Sequence, residues 1–361
     1  MARVAVIGAG LAGLTTALYA VTAGHHVVVL DKTDRLGGRA ASQTVDGVPF
    51  GFGPHLLLKN GPLRRVVKKI SRLKTVLSTP RLDRIHLVGM GPFRPRNDVR
   101  LAAQIKRALR STSLDSPFVR GAGLLAGSGV PNYDARFTAF KKGGLTVVGE
   151  GWAGLVGRMA SALDEVGVLI EPHCHVSTIE DGCVLLKDGR SFQSDTIVVA
   201  CGFNQARNLL ASIDEHALSE VSPVRASTLD VALSSRPLGE KHGVVDVEQG
   251  AYVLDVSNIQ PRLGLDGAYL SALMVEKAGE QTEERDARFE KFLERHAQGW
   301  KHHVVNERRQ RNITVQTIGT KPRYDAYAEK GILLAGEWVF SDHSLSDAAV
   351  DTGRMCGQNI P

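Results

Sequence analysis

Residues 4–31 are the part of the sequence that most constrains the fold. An apolar run at 4–7 predicts a buried strand, and a glycine-rich turn follows it directly. A helical stretch then continues to Gly24, and a second apolar run, 27–30, predicts another buried strand. Strand, turn, helix and strand in this order predict a βαβ unit with two parallel strands.

The turn has the pattern Gly8-x-Gly10-x-x-Gly13, and each glycine has a physical reason. The first permits a tight turn, the second lets backbone N–H groups approach a pyrophosphate, and the third lets the helix pack closely on the strand. The pyrophosphate would lie at the positive end of the helix. Asp31, at the end of the second strand, is placed to accept ribose hydroxyls. The alternative is an α/β turn without a ligand, but the complete unit favours dinucleotide binding.

The length and composition indicate a globular protein with more than one domain. A chain of 361 residues can form two domains with sizeable cores. No apolar run approaches the roughly 18–20 residues of a membrane-spanning helix. The sequence starts directly in a strand, so we expect no signal peptide. Four cysteines without paired spacing predict a reducing, cytoplasmic environment.

A second glycine turn and a third turn follow the βαβ unit. Gly38 and Arg39 end a Leu-Gly-Gly-Arg segment, and Gly53-Pro54-His55 forms another turn. This stretch, residues 30–55, resembles the start of flavin-dependent amine oxidases and phytoene desaturases. In that superfamily both turns lie beside the flavin cofactor. By this resemblance His55 lies near the flavin ring, and structural packing is the alternative.

The C-terminal segment 331–360 also resembles this superfamily. It contains an apolar strand, the pair Gly336-Glu337, and a helix with a capping pattern, Ser344-x-x-Asp347. The resemblance implies that the acid of the pair contacts the ribityl and phosphate part of FAD. It also implies that the start of the helix faces the flavin pyrimidine ring, where a helix N-terminus stabilises negative charge.

The resemblance implies non-covalent FAD, with a valine on a later strand whose backbone meets the adenine. The candidate cofactor-binding residues are Gly8, Gly10, Leu11, Ala12, Gly13, Asp31, Lys32, Gly38, Arg39, Gly53, Pro54, His55, Val176, Gly336, Glu337, Leu345 and Ser346. No metal is expected, because His173 and His175 lack a further ligand at suitable spacing. No catalytic side chain is assigned, because the flavin carries the chemistry.

Two other regions predict a second domain. Residues 62–77 and 99–110 predict basic amphipathic helices, and 222–315 predicts antiparallel strands covered by a charged helix near 281–298. The expected fold is α/β, with a Rossmann-like FAD-binding domain of the glutathione reductase type and an α+β substrate domain on an antiparallel sheet. The predicted boundaries are 1–60, 144–215 and 316–361 for the FAD-binding domain, and 61–143 and 216–315 for the substrate domain.

The leading functional hypothesis is a phytoene desaturase-like oxidoreductase that acts on a small apolar substrate, isoprenoid or lipid in character. A flavin amine oxidase is a second reading, weakened by an aromatic content of only 6%. From another class, a prenyl-binding protein of the GDP dissociation inhibitor type shares the expected fold without using flavin.

The clustered basic residues predict contact with an anionic membrane surface, and a solvated helix face is the alternative. Nucleic acid is not an expected partner, because no aromatic residues interleave with the charge. The oligomeric state is not predicted. The basic residues of the first cluster are Arg64, Arg65, Lys68, Lys69, Arg72 and Lys74.

Overall fold

The computed structural model describes residues 1–45, 48–70, 74–92, 120–121, 123–125, 144–263 and 267–361. The predicted basic helix at 99–110 lies outside the described residues. None of the helices within the described ranges is long and apolar enough to cross a membrane.

The helices and strands follow in chain order. The described helices are α1 (Leu11–Thr22), α2 (Pro62–Ile70), α3 (Gly151–Asp164), α4 (Phe203–Leu210), α5 (Val256–Ile259), α6 (Thr282–His296) and α7 (Leu345–Gln358). The described strands are β1 (Arg3–Ile7), β2 (His26–Leu30), β3 (Gln43–Val45), β4 (Val48–Phe50), β5 (Leu57–Leu58), β6 (Leu77–Ser78), β7 (Ile85–Leu87), β8 (Gly91–Pro92), β9 (Leu145–Val148), β10 (Leu169–Glu171), β11 (Val176–Glu180), β12 (Cys183–Leu186), β13 (Ser191–Gln193), β14 (Thr196–Val199), β15 (Val221–Leu233), β16 (Gly243–Asp246), β17 (Ala251–Asp255), β18 (Ala268–Val275), β19 (Val304–Gly319) and β20 (Ile332–Leu334).

A five-stranded parallel sheet, in the order β10-β2-β1-β14-β20, forms the centre of the first domain. Its strands are nearly continuous apolar runs because both faces are covered. Val4 and Val6 pack with α1, α3 and α7 on one face. Ala5 and Ile7 pack on the other face with α4 and the small antiparallel sheet β11-β12-β13. The βαβ unit predicted from residues 4–31 is confirmed.

A seven-stranded sheet, in the order β19-β15-β18-β17-β16-β7-β8, forms the second domain. The long strands β15 and β19 pair antiparallel along nearly their whole length. Helix α6 packs on this sheet through Phe289, Phe292 and Leu293, and it confirms the charged helix predicted near 281–298.

The predicted helix at 62–77 is wrong in its second half. Helix α2 ends at Ile70, and Leu77 instead pairs with Val148 as part of β6. Strand pairing satisfies backbone groups that a longer helix would have used, and helical periodicity alone does not reveal this. The apolar side of α2, Val66 and Val67 included, packs into the core with α1, α3 and α7. This start of the 61–143 range therefore lies with the core of the first domain.

Candidate cofactor site

The three glycines of the first turn have three different environments. Gly8 has φ +109°, and a Cβ there would lie 3.0 Å from the Ala200 carbonyl oxygen. A Cβ on Gly13 would lie 1.9 Å from the carbonyl oxygen of Gly8, so helix and turn are in direct backbone contact. A Cβ on Gly10 would meet no heavy atom within 4 Å. The turn is therefore tightly packed on two sides and open at Gly10.

The open position coincides with the start of helix α1. Gly10 is the N-cap, no side chain among the described residues caps it, and the first turn contains no acid. The N–H groups at Leu11 and Ala12 belong to this first turn, where helices leave backbone donors without helical partners. Both the space and the donors fit the diphosphate of a dinucleotide.

The second glycine turn packs against the first. The Gly37 N–H donates to the Ala9 carbonyl oxygen at 2.8 Å, and Gly37 forms an isolated parallel bridge with Gly10. A Cβ on Gly38 would lie 3.4 Å from the Gly10 Cα. Gly38 is thus next to the open position, and Arg39 follows it at the exposed surface.

The Asp31 side chain is hydrogen-bonded to the backbone of the first turn. Its Oδ2 accepts a hydrogen bond from the Ala9 N–H at 2.7 Å, and its Oδ1 accepts from the Thr33 N–H at 2.9 Å and the Thr33 hydroxyl at 3.0 Å. The Asp31 carboxylate is therefore fixed beside the glycine motif, with exposed Lys32 next to it.

Val176, at the start of β11, lies close to the same strand end. The Cys174 N–H donates to the Asp31 carbonyl oxygen at 2.7 Å, which ties this segment to the end of β2. The Val176 carbonyl oxygen accepts from the Gln205 side chain at 3.2 Å. The candidate adenine-contacting residue and the candidate ribose-contacting residue are thus held by the same pair of segments.

Glu337 is buried, with 1% of its side chain exposed, and the chain supplies donors to both oxygens. Oε1 accepts from the Thr317 N–H at 3.2 Å and from the Lys321 ammonium at 2.8 Å, while Oε2 accepts from the Thr317 hydroxyl at 3.1 Å. The Arg39 guanidinium lies 3.9 Å from Oε2. Two predicted site residues, Arg39 and Glu337, therefore lie close together. Thr317 and Lys321, which belong to no recognised motif, also bind Glu337.

His55 joins the second and third turns. Its Nδ1 lies 2.5 Å from the Gly53 carbonyl oxygen, and its Nε2 lies 2.8 Å from the Arg39 carbonyl oxygen. The ring lies 5.1 Å from the Trp152 ring, and the Trp152 indole N–H donates to the His55 carbonyl oxygen at 3.1 Å. These contacts give His55 a positioning role for both turns.

The third turn is hydrogen-bonded to a buried acid of the seven-stranded sheet. Asp230, which is 1% exposed, accepts from the Gly53 N–H at 2.7 Å, the Ser271 hydroxyl at 2.5 Å and the Tyr269 hydroxyl at 3.3 Å. The Tyr269 oxygen in turn accepts from the Gly51 N–H at 3.1 Å. Burial raises the pKa of Asp230, and the hydrogen bonds from Ser271 and Gly53 oppose that shift. Sequence reasoning missed Asp230; an acid inside the apolar run of β15 was its only signal.

The C-terminal helix α7 begins with a residue in the left-handed region of backbone conformation. Leu345 has φ +52°, an uncommon conformation for a branched residue, and Ser346 follows it in the first turn. Ser344 is the N-cap residue, as the capping pattern predicts, but its side chain forms no capping hydrogen bond. Asp347 instead accepts from the Leu63 N–H at 3.0 Å, at the start of α2.

Helix α7 packs directly on α1. A Cβ on Gly353 would lie 2.3 Å from the Ala12 carbonyl oxygen, and one on Gly357 would lie 2.5 Å from the Thr16 carbonyl oxygen. Strand β20 ends at Leu334, and a Cβ on Gly336, two residues later, would lie 2.5 Å from the Trp338 indole nitrogen. The motifs from the two ends of the sequence therefore meet at one place.

The fold and this site define a dinucleotide-binding protein. The family model for an NAD(P)-binding Rossmann-like domain matches residues 6–70. A phytoene desaturase (neurosporene-forming) from Rhodobacter capsulatus is 42% identical over 66 residues, which cover 18% of this chain and 13% of that protein. The chain thus spans about a tenth of the length of the carotenoid-enzyme relatives that it matches.

Two solved structures match over nearly the whole chain. An oxidoreductase from Methanosarcina mazei has a TM-score of 0.76 at 17% identity and covers 98% of this chain and 99% of its own. A putrescine oxidase double mutant has a TM-score of 0.72 at 18% identity and covers 99% of this chain and 98% of its own. The chain therefore shares its fold with these two structures over nearly its whole length, and it resembles the carotenoid enzymes in sequence near its glycine motif. These findings support the predicted superfamily of FAD-dependent amine oxidases and phytoene desaturase-like oxidoreductases and the predicted dinucleotide cofactor.

Proposed function

We propose that this protein is an oxidoreductase that binds FAD non-covalently and acts on a small, largely apolar substrate. The observation that carries the proposal is the meeting of the N-terminal glycine turns with the C-terminal Gly336-Glu337 segment through the contact of α1 and α7. Bound FAD would supply a flavin ring whose N5 accepts a hydride. We assign substrate binding to the seven-stranded sheet domain, because its Asp230 holds the turn at Gly53.

In this proposal, residues of the chain position the parts of FAD and the turn beside it. The turn at Gly10 and the start of α1 would hold the diphosphate, and Asp31 would hold the ribose. His55 fixes the turn at Gly53 against the backbone of Arg39. The carotenoid-enzyme relatives favour a desaturase-like reaction, and the likeness to putrescine oxidase keeps amine oxidation as a second candidate.

The purified protein is expected to carry FAD. Its absorbance spectrum should show peaks near roughly 375 and 450 nm, as flavins do. Denaturation should release the flavin, because we propose no covalent attachment. A colourless protein that cannot be reconstituted with FAD would contradict the proposal and favour the non-catalytic lipid-binding class.

Asp31→Ala and Glu337→Ala are each expected to lower the affinity for FAD by about 10- to 100-fold. Each substitution removes a carboxylate whose hydrogen bonds are worth roughly 1.5–3 kcal/mol. Asp31 acts at the ribose and on the Ala9 N–H, and Glu337 acts through the segment that it fixes to Thr317 and Lys321. Flavin fluorescence titration of each apoprotein variant measures its affinity for FAD.

Asp195→Ala is a matched control for these two variants. This exposed acid pairs with Arg3 at the opposite end of the parallel sheet from the glycine turn. The Asp195→Ala variant should bind FAD with the same affinity as the wild type. If Asp31→Ala and Glu337→Ala also bind FAD like the wild type, the assigned ribose and ribityl contacts are misplaced.

We also propose that an anionic membrane surface is a partner of the protein. Helix α2 exposes Arg65, Lys68 and Lys69 and contains no acid. Its apolar side faces the protein core, so the contact would be electrostatic and would not involve insertion of this helix. Such a surface would bring an apolar substrate to the site without passage through water.

Co-sedimentation with liposomes tests this proposal. Binding should require phosphatidylserine in the vesicles and should weaken at high salt. The double variant Lys68→Gln/Lys69→Gln should bind more weakly than Lys187→Gln/Lys291→Gln, whose lysines are exposed elsewhere. A wild-type protein that stays in the supernatant with anionic vesicles at low salt rules the partner out.

A further inference from the structure

Two arginines enclose Phe52, the residue before Gly53 in the third turn. The Arg308 guanidinium carbon lies 3.4 Å from the centre of the Phe52 ring, and the Arg35 guanidinium carbon lies 4.4 Å from it. Cations are attracted to the face of an aromatic ring, so this arrangement holds both side chains in place. We refer to Arg35, Phe52 and Arg308 as the arginine stack.

The arginine stack lacks an anionic partner among the residues that the structure describes. Within them, neither Arg35 nor Arg308 forms an ion pair, and Nη1 of Arg308 is buried without a hydrogen-bond acceptor. Burial and the nearby charge of Arg35 both lower the pKa of Arg308. Two cations that repel each other and a buried donor without an acceptor leave an arrangement that a bound anion would complete.

The nearest buried acid does not fill this role. Asp230 lies opposite Arg308 in the pairing of β15 with β19, so the two residues share one face of the sheet. The Asp230 oxygens, however, accept hydrogen bonds from Gly53, Tyr269 and Ser271. The charge of Asp230 offsets the lowered pKa of Arg308 only in part, and Nη1 of Arg308 still has no acceptor among the described residues.

We propose that the arginine stack binds an anionic group, a carboxylate or a phosphate, at one end of the substrate. Guanidinium groups match both chemistries through paired N–H donors. The stack is joined to Gly53 through Phe52, so it holds that group beside the proposed flavin-proximal turn. The substrate therefore has an apolar body and an anionic end. The identification of the ligand as the substrate rests on the proposed function, whereas the anion site rests on the geometry of the arginine stack.

The test compares two probes of the same shape, octanoate and neutral octanamide, together with inorganic phosphate. Each probe is titrated by isothermal calorimetry into the purified full chain, and the change in flavin absorbance is followed in parallel where FAD is bound. The wild type should bind octanoate at least about 10-fold more tightly than octanamide, since a charge-assisted hydrogen bond is worth that ratio. High salt should weaken octanoate binding.

Three variants assign the effect to the stack. Arg308→Gln and Arg35→Gln should each reduce octanoate affinity by about 10-fold or more and leave octanamide affinity unchanged. Arg207→Gln is the matched control, because its guanidinium lies 5.6 Å from the ring of Phe203 on helix α4. Arg35 is exposed, so its variant keeps the test decisive even if Arg308→Gln does not fold.

The outcomes separate the two proposals. A preference for octanoate over octanamide that depends on both arginines supports the site. Phosphate binding that is as tight as octanoate binding and depends on the same arginines also supports the site, and it assigns phosphate as the ligand. Equal affinities for octanoate and octanamide without phosphate binding, or loss of octanoate preference in Arg207→Gln alone, overturn it. FAD content, measured separately at about 450 nm, reports on the proposed oxidoreductase function whatever the anion result.

Discussion

Gly13→Ala is expected to lower the free energy of unfolding by at least about 3 kcal/mol and to abolish FAD binding. The added Cβ would lie 1.9 Å from the Gly8 carbonyl oxygen and 3.1 Å from the Val6 side chain. A backbone oxygen cannot move aside as a flexible side chain does, so helix α1 would have to shift away from β1. Urea unfolding and flavin titration measure the two effects.

Gly157→Ala is the matched control, and it should raise the free energy of unfolding. Gly157 is an exposed glycine within helix α3, and a Cβ there would meet no heavy atom within 4 Å. Alanine at such a position stabilises a helix by roughly 0.5–1 kcal/mol. If Gly13→Ala unfolds at the same urea concentration as Gly157→Ala, the close contact of α1 with the first turn does not exist.

Asp230→Ala is expected to lower the free energy of unfolding by about 2–4 kcal/mol. It leaves the Gly53 N–H and the hydroxyls of Tyr269 and Ser271 without their acceptor in a buried position. Because Asp230 holds the third turn, FAD affinity should fall as well. Asp246→Ala is a suitable comparison, since Asp246 is a buried acid of the same sheet that accepts a hydrogen bond from the Gln249 N–H at 3.0 Å and does not contact the third turn in the described hydrogen bonds.

The pH dependence of Asp230→Asn provides an independent check. Burial raises the pKa of Asp230 in the folded protein above the unfolded value of about 3.9, so the folded state holds this proton more tightly. The associated stability is complete below that unfolded value and is lost as pH rises through the folded pKa. Relative to Asp230→Asn, the wild type should therefore lose stability as pH rises above about 4, toward the raised pKa of the folded state. A difference that is constant with pH would contradict this assignment.

The sequence predicted the parts of the site that are local in the chain. The turn at Gly8, Gly10 and Gly13, the strand before it and Asp31 after it lie within one βαβ unit, and periodicity together with glycine placement determines such a unit. The strand at 332–334 and the helix after it were recognisable for the same reason.

Contacts between distant segments could not be predicted in this way. Asp347 looked like a capping residue of its own helix, yet it serves the start of α2, 284 positions away in the sequence. Glu337 looked free for a ligand, yet Thr317 and Lys321 bind it. In both cases a buried polar group takes the nearest donor in space, and hydrophobic periodicity contains no information on which segment supplies it.

The packing of α7 on α1 has a consequence for biosynthesis. Helix α1 leaves the ribosome long before α7, and its surface at Ala12 and Thr16 stays uncovered until Gly353 and Gly357 arrive. Strand β20, at the edge of the parallel sheet, is equally late. Domains generally fold as units during synthesis. Here the domain must wait for α7, so a stalled nascent chain lacking α7 exposes the apolar face of α1 to chaperones.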